Sequence, residues 1–276
     1  MKGHIYVSNP VDEKGFVNWS ETDNKTWQKL VTRQKEIIKG KACDQFLEGL
    51  EALALPEDRV PQLPDINKVL AKHNGWGVEA VPALIQPQRF FQLLANKRFP
   101  AATFIRIPEE LDYLQEPDIF HEVYGHTPLL TNQAYGDFME KFGKLALEVD
   151  PKDRRRMFRL FWFTIEFGLL NIGDELRAYG GGILSSIGET QYCLTNESQK
   201  KPFDVLEVLR TPYRIDIMQP LYFVINDFDD LFTILDQDIK SYIKQSKELG
   251  DREPLFPPKQ KTDKIDDDSG MGAMKC

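Results

Sequence analysis

Cysteine is scarce in this chain. There are three in 276 residues, at 43, 193 and 276, and no two of them form a C-x-x-C pair. An odd number at unrelated spacings sets up no disulfide framework and fits a reducing compartment, so the protein is expected to be cytoplasmic. Long apolar runs are missing as well. The N-terminus, MKGHIYVSNPVDEKG, lacks the apolar stretch of a secretory leader. The most apolar segment, 160–170, is interrupted by Glu166 and is too short to span a bilayer, so no membrane association is expected. Basic charge is also short. Lys and Arg number 35 against 43 Asp and Glu, a net charge of -8, so no global positive field draws nucleic acid or anionic lipid. The basic run Arg154-Arg155-Arg156 is diluted by Asp150 and Asp153 and reads as a solvated helix face.

What is present is ordinary globular material with an aromatic bias. The 18 Phe, 9 Tyr and 4 Trp place rings in the core or around a pocket. No internal repeat occurs. Residues 1–18 read as an N-terminal arm, 19–252 as one domain and 253–276 as a disordered tail. The tail begins with Pro254, Pro257 and Pro258 and then turns Lys/Asp/Gly-rich, with little apolar surface to bury. A helix is expected after Ser20 or Asp23, where a short polar side chain can cap free N–H groups, running to Gly40. Others are expected near 42–54, 65–74 and 87–97, the last opening on Pro87. Strands are expected at 77–81, 102–106 and 221–225. The chain should be helical over 131–172 with a break at Asp150-Pro151, a loop or strand over 178–184, and helical again over 227–247. The strands are few and scattered, without βαβ alternation. The fold class is therefore α+β, predominantly helical.

Half of the four histidines lie in the run His121-Glu122-Val123-Tyr124-Gly125-His126. The spacing is one residue longer than the zinc-protease pattern H-E-x-x-H. On a regular helix, positions i and i+5 point about 140° apart, against about 40° for i and i+4. A regular helix cannot aim both imidazoles at one ion. Gly125 and Pro128 permit a distortion that would put His126 at a helix end. Glu166 sits in LFWFTIEFGLL, apolar on nearly every face. A buried carboxylate there needs a cation: a metal shared with the two histidines, or an arginine such as Arg106, Arg159 or Arg177. Two imidazoles and a carboxylate leave open positions on non-heme Fe(II).

The segments PDIFHEVYGHTPL, FWFTIEFGLL and AYGGGILSSIGETQYCL occur in that order. With VPQL at 60–63 and QPLYF at 219–223, they resemble the catalytic core of the pterin-dependent aromatic amino acid hydroxylases, in particular its bacterial, phenylalanine-hydroxylating branch. The resemblance covers roughly 19–228. It implies a single hydroxylase catalytic domain that converts L-phenylalanine to L-tyrosine with Fe(II), a tetrahydropterin and O2. His121, His126 and Glu166 would bind the iron. Gln86, Phe91, Glu122 and Phe161 would face the pterin. Phe161 stands where animal members carry Tyr, so a hydroxyl contact is lost. Arg106 would hold the substrate carboxylate, braced by Asp118. Tyr113, Pro117, Trp162, Phe167, Gly182 and Ser185 would line the substrate pocket, with Ser185 supporting His121. Leu114 stands where animal members often carry Thr.

The regulatory domain of animal members has no expected counterpart, nor does a long tetramerising helix, so a monomer or homodimer is expected. Ile215, apolar where tyrosine hydroxylases are acidic, favours phenylalanine; tyrosine or tryptophan hydroxylation is the alternative substrate choice. A zinc hydrolase with Glu122 as base, or a binding protein with a structural metal, are the alternatives of another class.

Overall fold

Local signals set the first helix. In the computed structural model, which describes residues 6–82, 85–114 and 116–258, α1 (Glu21–Ile37) begins where the sequence indicates. The Ser20 hydroxyl accepts the Asp23 N–H while the Asp23 carboxylate accepts the Ser20 N–H, a reciprocal cap. Its Trp27, Leu30 and Val31 are buried against the domain core. Helices α2 (Asp44–Leu53) and α3 (Leu63–His73) follow.

Next comes β1 (Gly77–Val81), α4 (Pro87–Ala95) and β2 (Arg98–Ala102), with the two strands parallel and Gly77 opposite Arg98. This corrects two expectations. The chain does contain a βαβ unit, and the second strand lies at Arg98–Ala102 rather than at 102–106. Pro100 inside β2 argues against a strand in sequence, because proline gives the ladder no N–H. In a two-stranded sheet each strand has an open edge, so that missing donor can be accommodated. The segment carrying Arg106 is left as coil.

Beyond it lie a π-helix (Phe120–His126), α5 (Gln133–Glu148), α6 (Arg154–Phe161) and a second π-helix (Trp162–Glu166). Strands β3 (Leu169–Ile172) and β4 (Glu175–Ala178), helices α7 (Gly181–Leu184) and α8 (Ile187–Tyr192), β5 (Gln199–Pro202), α9 (Val205–Arg210), β6 (Leu221–Ile225), α10 (Asp229–Asp236) and α11 (Ile239–Leu249) complete the order. The helix expected to reach 172 therefore gives way to a strand at Leu169. The helix expected over 227–247 is two helices, parted where the Asp238 side chain accepts from Ser241 N and starts α11. The larger sheet has the order β4-β3-β6-β5, antiparallel between β3 and β4 and parallel elsewhere. The fold is mixed α+β and predominantly helical.

The core is aromatic where the site is anchored. Phe91 stacks on Phe158 at 4.9 Å, and Phe90 meets Phe161 edge-on at 5.3 Å. Such buried rings contribute roughly 1.5–3 kcal/mol each by burial. Of the first eighteen residues, 6–18 are described; Tyr6 stacks on Phe104 at 4.7 Å and Asn9 N–H donates to Thr103 O at 2.8 Å. Of the expected tail, 253–258 are described and the rest lies outside the described residues. Pro257 O accepts from Arg214 Nη1 at 3.1 Å. Among the described residues no helix is long and apolar enough to cross a membrane.

Candidate active site

The six-residue histidine run resolves its own spacing problem by winding. Phe120–His126 is a π-helix throughout. Its i→i+5 hydrogen bonds stack residues five apart, as an α-helix stacks residues four apart. His126 ends the helix, as expected, but the distortion is a change of pitch along the whole segment rather than a local one at its end. His121 Nε2 and His126 Nε2 come to 3.2 Å of each other. Glu166 ends the second π-helix, Trp162–Glu166. Its Oε1 lies 3.3 Å from His126 Nε2 and its Oε2 lies 3.7 Å from His121 Nε2. Ligand atoms held about 2.1 Å from one first-row ion stand roughly 3 Å apart. Among the described residues these three form the one cluster of metal-ligand side chains, all buried.

The chemistry of the donors fits a cation. The Ser185 hydroxyl has one proton, and it donates that proton to Gly181 O at 2.8 Å. Ser185 Oγ therefore accepts at its 2.9 Å contact with His121 Nδ1, which fixes the proton on Nδ1 and leaves the Nε2 lone pair facing the cluster. Burial pushes the His121 pKa down to about 4, with His126 adding to the effect and Glu166 opposing it, so the ring is neutral as a ligand must be. The three arginines that might have neutralised Glu166 are committed elsewhere. Arg106 bonds Asp118, Arg159 bonds Asp251, and Arg177 bonds Glu175.

Three consecutive glycines make room for this cluster. A Cβ on Gly180 would stand 2.2 Å from Glu166 O, and one on Gly182 would stand 2.9 Å from Glu166 Oε2. A Cβ on Gly181 would stand 2.4 Å from the His126 ring. Phe99 also packs on that ring, stacked at 4.7 Å.

Asp118 links the cluster to the cavity. It is fully buried and accepts Arg106 Nε at 2.8 Å, Arg106 Nη2 at 2.9 Å, and the backbone N–H groups of Arg106 and His121 at 3.0 Å each. Burial alone would raise its pKa, but the Arg106 charge and these hydrogen bonds outweigh it and hold the carboxyl below its ordinary value. Arg106 is buried too, with its pKa raised by the same pairing against the opposing effect of burial.

Arg106, His121 and Glu166 open on one cavity of about 490 Å³, with His126 behind its wall. Its wall includes His121, Glu166, Arg106, Tyr113, Pro117, Trp162, Phe167, Gly182 and Ser185. Tyr113 is 55% exposed and stands at the mouth. Trp162 and Phe167 lie 4.5 Å apart as a pair of rings. The expected pterin residues are placed differently. Gln86 is exposed at the start of α4. Glu122 is buried off the cavity wall, and burial, then Glu166 and Asp118, raise its pKa well above the ordinary value. Phe91 and Phe161 are not on the cavity wall: both pack among rings of the core.

A family model described as biopterin-dependent aromatic amino acid hydroxylase matches residues 9–249. The chain belongs to that family. A phenylalanine-4-hydroxylase of Pseudomonas aeruginosa is 52% identical over 260 residues, covering 94% of this chain and 99% of the relative. The apo structure of the cold-active phenylalanine hydroxylase from Colwellia psychrerythraea superposes with a TM-score of 0.88 at 52% identity, over 90% of this chain and 97% of that one. The Chromobacterium violaceum phenylalanine hydroxylase solved with bound oxidized Fe(III) gives a TM-score of 0.83 at 40% identity, over 88% of this chain and 91% of that one. In this aromatic amino acid hydroxylase the wall also holds residues that the sequence did not single out, among them Gln34, Glu189 and Gln219. Glu189 lies in the GETQYCL run and Gln219 opens QPLYF, so both were in view as part of a resemblance without a role.

Proposed function

We propose that this hydroxylase converts L-phenylalanine to L-tyrosine, using O2, Fe(II) and a tetrahydropterin. The carrying observation is that two imidazole Nε2 atoms and a carboxylate lie within 4.8 Å of one another, and that His121 and Glu166 of this cluster line a cavity that also contains a braced arginine. His121, His126 and Glu166 would hold the iron. When bound, the ferrous ion and reduced pterin supply O2 activation and two reducing electrons. The chain supplies placement. Arg106, held flat by two bonds to Asp118, presents its remaining N–H groups to the amino-acid carboxylate. Trp162 and Phe167 form an apolar wall for the ring and keep water from it. Ile215 lies on the same wall and offers no partner to a ring hydroxyl, which favours phenylalanine over tyrosine as substrate.

For the pterin, the reading shifts by one residue on α4. Neither ring lines the cavity, but Phe90 keeps 4% exposure where Phe91 keeps none, and that favours Phe90 as the stacking ring. Burial raises the Glu122 pKa well above its ordinary value, which favours the protonated form that can donate a hydrogen bond to a pterin oxygen.

The test is aerobic turnover with Fe(II), a tetrahydropterin and each of phenylalanine, tyrosine and tryptophan, with product identification. Pterin-dependent formation of tyrosine from phenylalanine is expected. No product from phenylalanine, with the iron site filled, would sink the reading.

A further inference from the structure

Part of the cavity wall is tied together through one buried side chain that neither touches the metal ligands nor faces the expected substrate groups as a charge. Gln219, 1% exposed, precedes β6. Its amide orientation is dictated by its neighbours. Nε2 donates to the carbonyls of Arg214 at 2.8 Å and Ile217 at 3.0 Å. Oε1 is then the acceptor for Trp162 Nε1, at 3.0 Å. The Gln219 N–H donates to Glu189 Oε1 at 2.9 Å, and the other Glu189 oxygen accepts the Tyr222 hydroxyl.

These bonds join three separate pieces of wall: Trp162 on the second π-helix, Glu189 on α8, and the 214–218 loop that brings Ile215, Ile217 and Met218 to the cavity. Trp162 meets Phe167 at 4.5 Å with planes tilted by 37°, and stacks on Tyr213 at 4.3 Å with planes 13° apart. Stacking fixes the tilt of an indole but leaves it free to slide within its plane. The bond from Nε1 to Gln219 is what stops the slide. The same amide closes the loop by holding two of its carbonyls.

We infer that Gln219 is a positioning residue that sets the shape of the amino-acid pocket, and through it the preference for a one-ring over a two-ring substrate. The inference rests on the function proposed above. Without the amide, the indole N–H and two loop carbonyls lose their partners, the loop relaxes outward and the pocket widens. The metal ligands stay where they are.

The experiment uses the iron-loaded full chain with Gln219→Leu and Gln219→Glu. Leucine removes all side-chain bonds. Glutamate keeps the size and the acceptor for Trp162 but sets an oxygen against the two carbonyls, so it tests the loop in a nearly isosteric protein. For both variants KM for L-phenylalanine should rise about tenfold, the energy of roughly one hydrogen bond. The preference in kcat/KM for phenylalanine over tryptophan should fall by a similar factor. The kcat at saturating phenylalanine, KM for the pterin, and iron content should stay within twofold. In a Trp162→Phe background the effect of Gln219→Leu should shrink, because the two act through one bond. An iron-replete, folded variant of either kind with wild-type KM and wild-type preference overturns the inference. So does a fall in kcat with KM unchanged. If the wild-type chain does not hydroxylate phenylalanine, the functional reading fails first and the inference goes with it.

Discussion

Replacing Gly181 with alanine adds one methyl group directly against a ligand ring of the metal cluster. That carbon would stand 2.4 Å from Cε1, 2.5 Å from Nδ1 and 2.7 Å from Nε2 of His126. Carbon contacts relax at about 3.5–4.0 Å, so something must move by roughly 1 Å. The ring is buried and backed by Phe99. The α7 backbone is confined as well, since even a Cβ on Gly125 would meet Gly181 O at 2.7 Å. Overpacking of this kind costs about 1–3 kcal/mol. Against it, Gly181 is helical without a positive φ, and alanine in a helix returns about 1 kcal/mol. The fold should therefore lose little. The metal should lose much more, because ligand bonds tolerate only about 0.2 Å of misplacement. Equilibrium dialysis against Fe(II) or Co(II) should show affinity down by about 100-fold or more, with circular dichroism preserved and a melting point lower by a few degrees. Gly188→Ala is the control, since its Cβ would meet only the Met218 side chain, at 3.5 Å. A Gly181→Ala protein that binds metal as tightly as wild type would refute the claim that the glycine makes room for a ligand imidazole.

Three further outcomes are expected. Glu166→Gln and His121→Ala should abolish iron binding and turnover while leaving the fold largely intact; coupled hydroxylation by either variant would remove it from the ligand set. Phe90→Ala should raise KM for the pterin with little change in that for phenylalanine, whereas Phe91→Ala, which empties a fully buried position, should lower stability by about 3–5 kcal/mol; the reverse pattern in kinetics and urea unfolding would restore Phe91 as the pterin ring. Glu189 gives a pH signature. Burial raises its pKa from 4.5 to about 6, against the hydrogen bonds from Tyr222 and Gln219. For a raised carboxyl, the stabilisation is fully present below the unfolded value and is lost as pH rises through the folded one, a change of about 2 kcal/mol. Glu189→Gln should accordingly gain stability on wild type by about that amount between pH 4 and 7.5; parallel stability curves for the two proteins would count against a raised pKa.

How much of this was legible depended on how local the cause was. The start of α1 follows from Ser20 and Asp23, three residues apart, and was readable. So were β1, a short valine-bearing run, and β6, an apolar one, both with the expected bounds. β2 was misplaced because its pairing with β1, not its own composition, makes Arg98–Ala102 a strand despite Pro100. The three candidate ligands were legible as chemistry, since a buried carboxylate and paired histidines need an explanation wherever they fold. What Gln219 does was not, because its partners Glu189 and Trp162 lie 30 and 57 residues away. Phe91 and Phe161 show the same limit: a ring in an apolar helix does not say whether it faces a ligand or another ring.

The two π-helices show what periodicity leaves undecided. Apolar spacing reports which residues share a face only after a pitch has been assumed, and an α-helical pitch sends His121 and His126 apart. Both ligand segments carry a threonine that bonds back four residues. Thr127 Oγ1 donates to Val123 O and Thr164 Oγ1 donates to Leu160 O, each at 2.6 Å. Such bonds compete for carbonyls that an α-helix would use internally and bend the helix. Small residues then let neighbours close on the widened turns, Gly125 against Gly181 O in one case and Gly168 against the Tyr179 ring in the other. The irregular spacing H-E-V-Y-G-H is thus not a damaged α-helical motif. It is the spacing that a π-turn requires, and the metal cluster exists because two segments with that winding meet end to side with glycines between them.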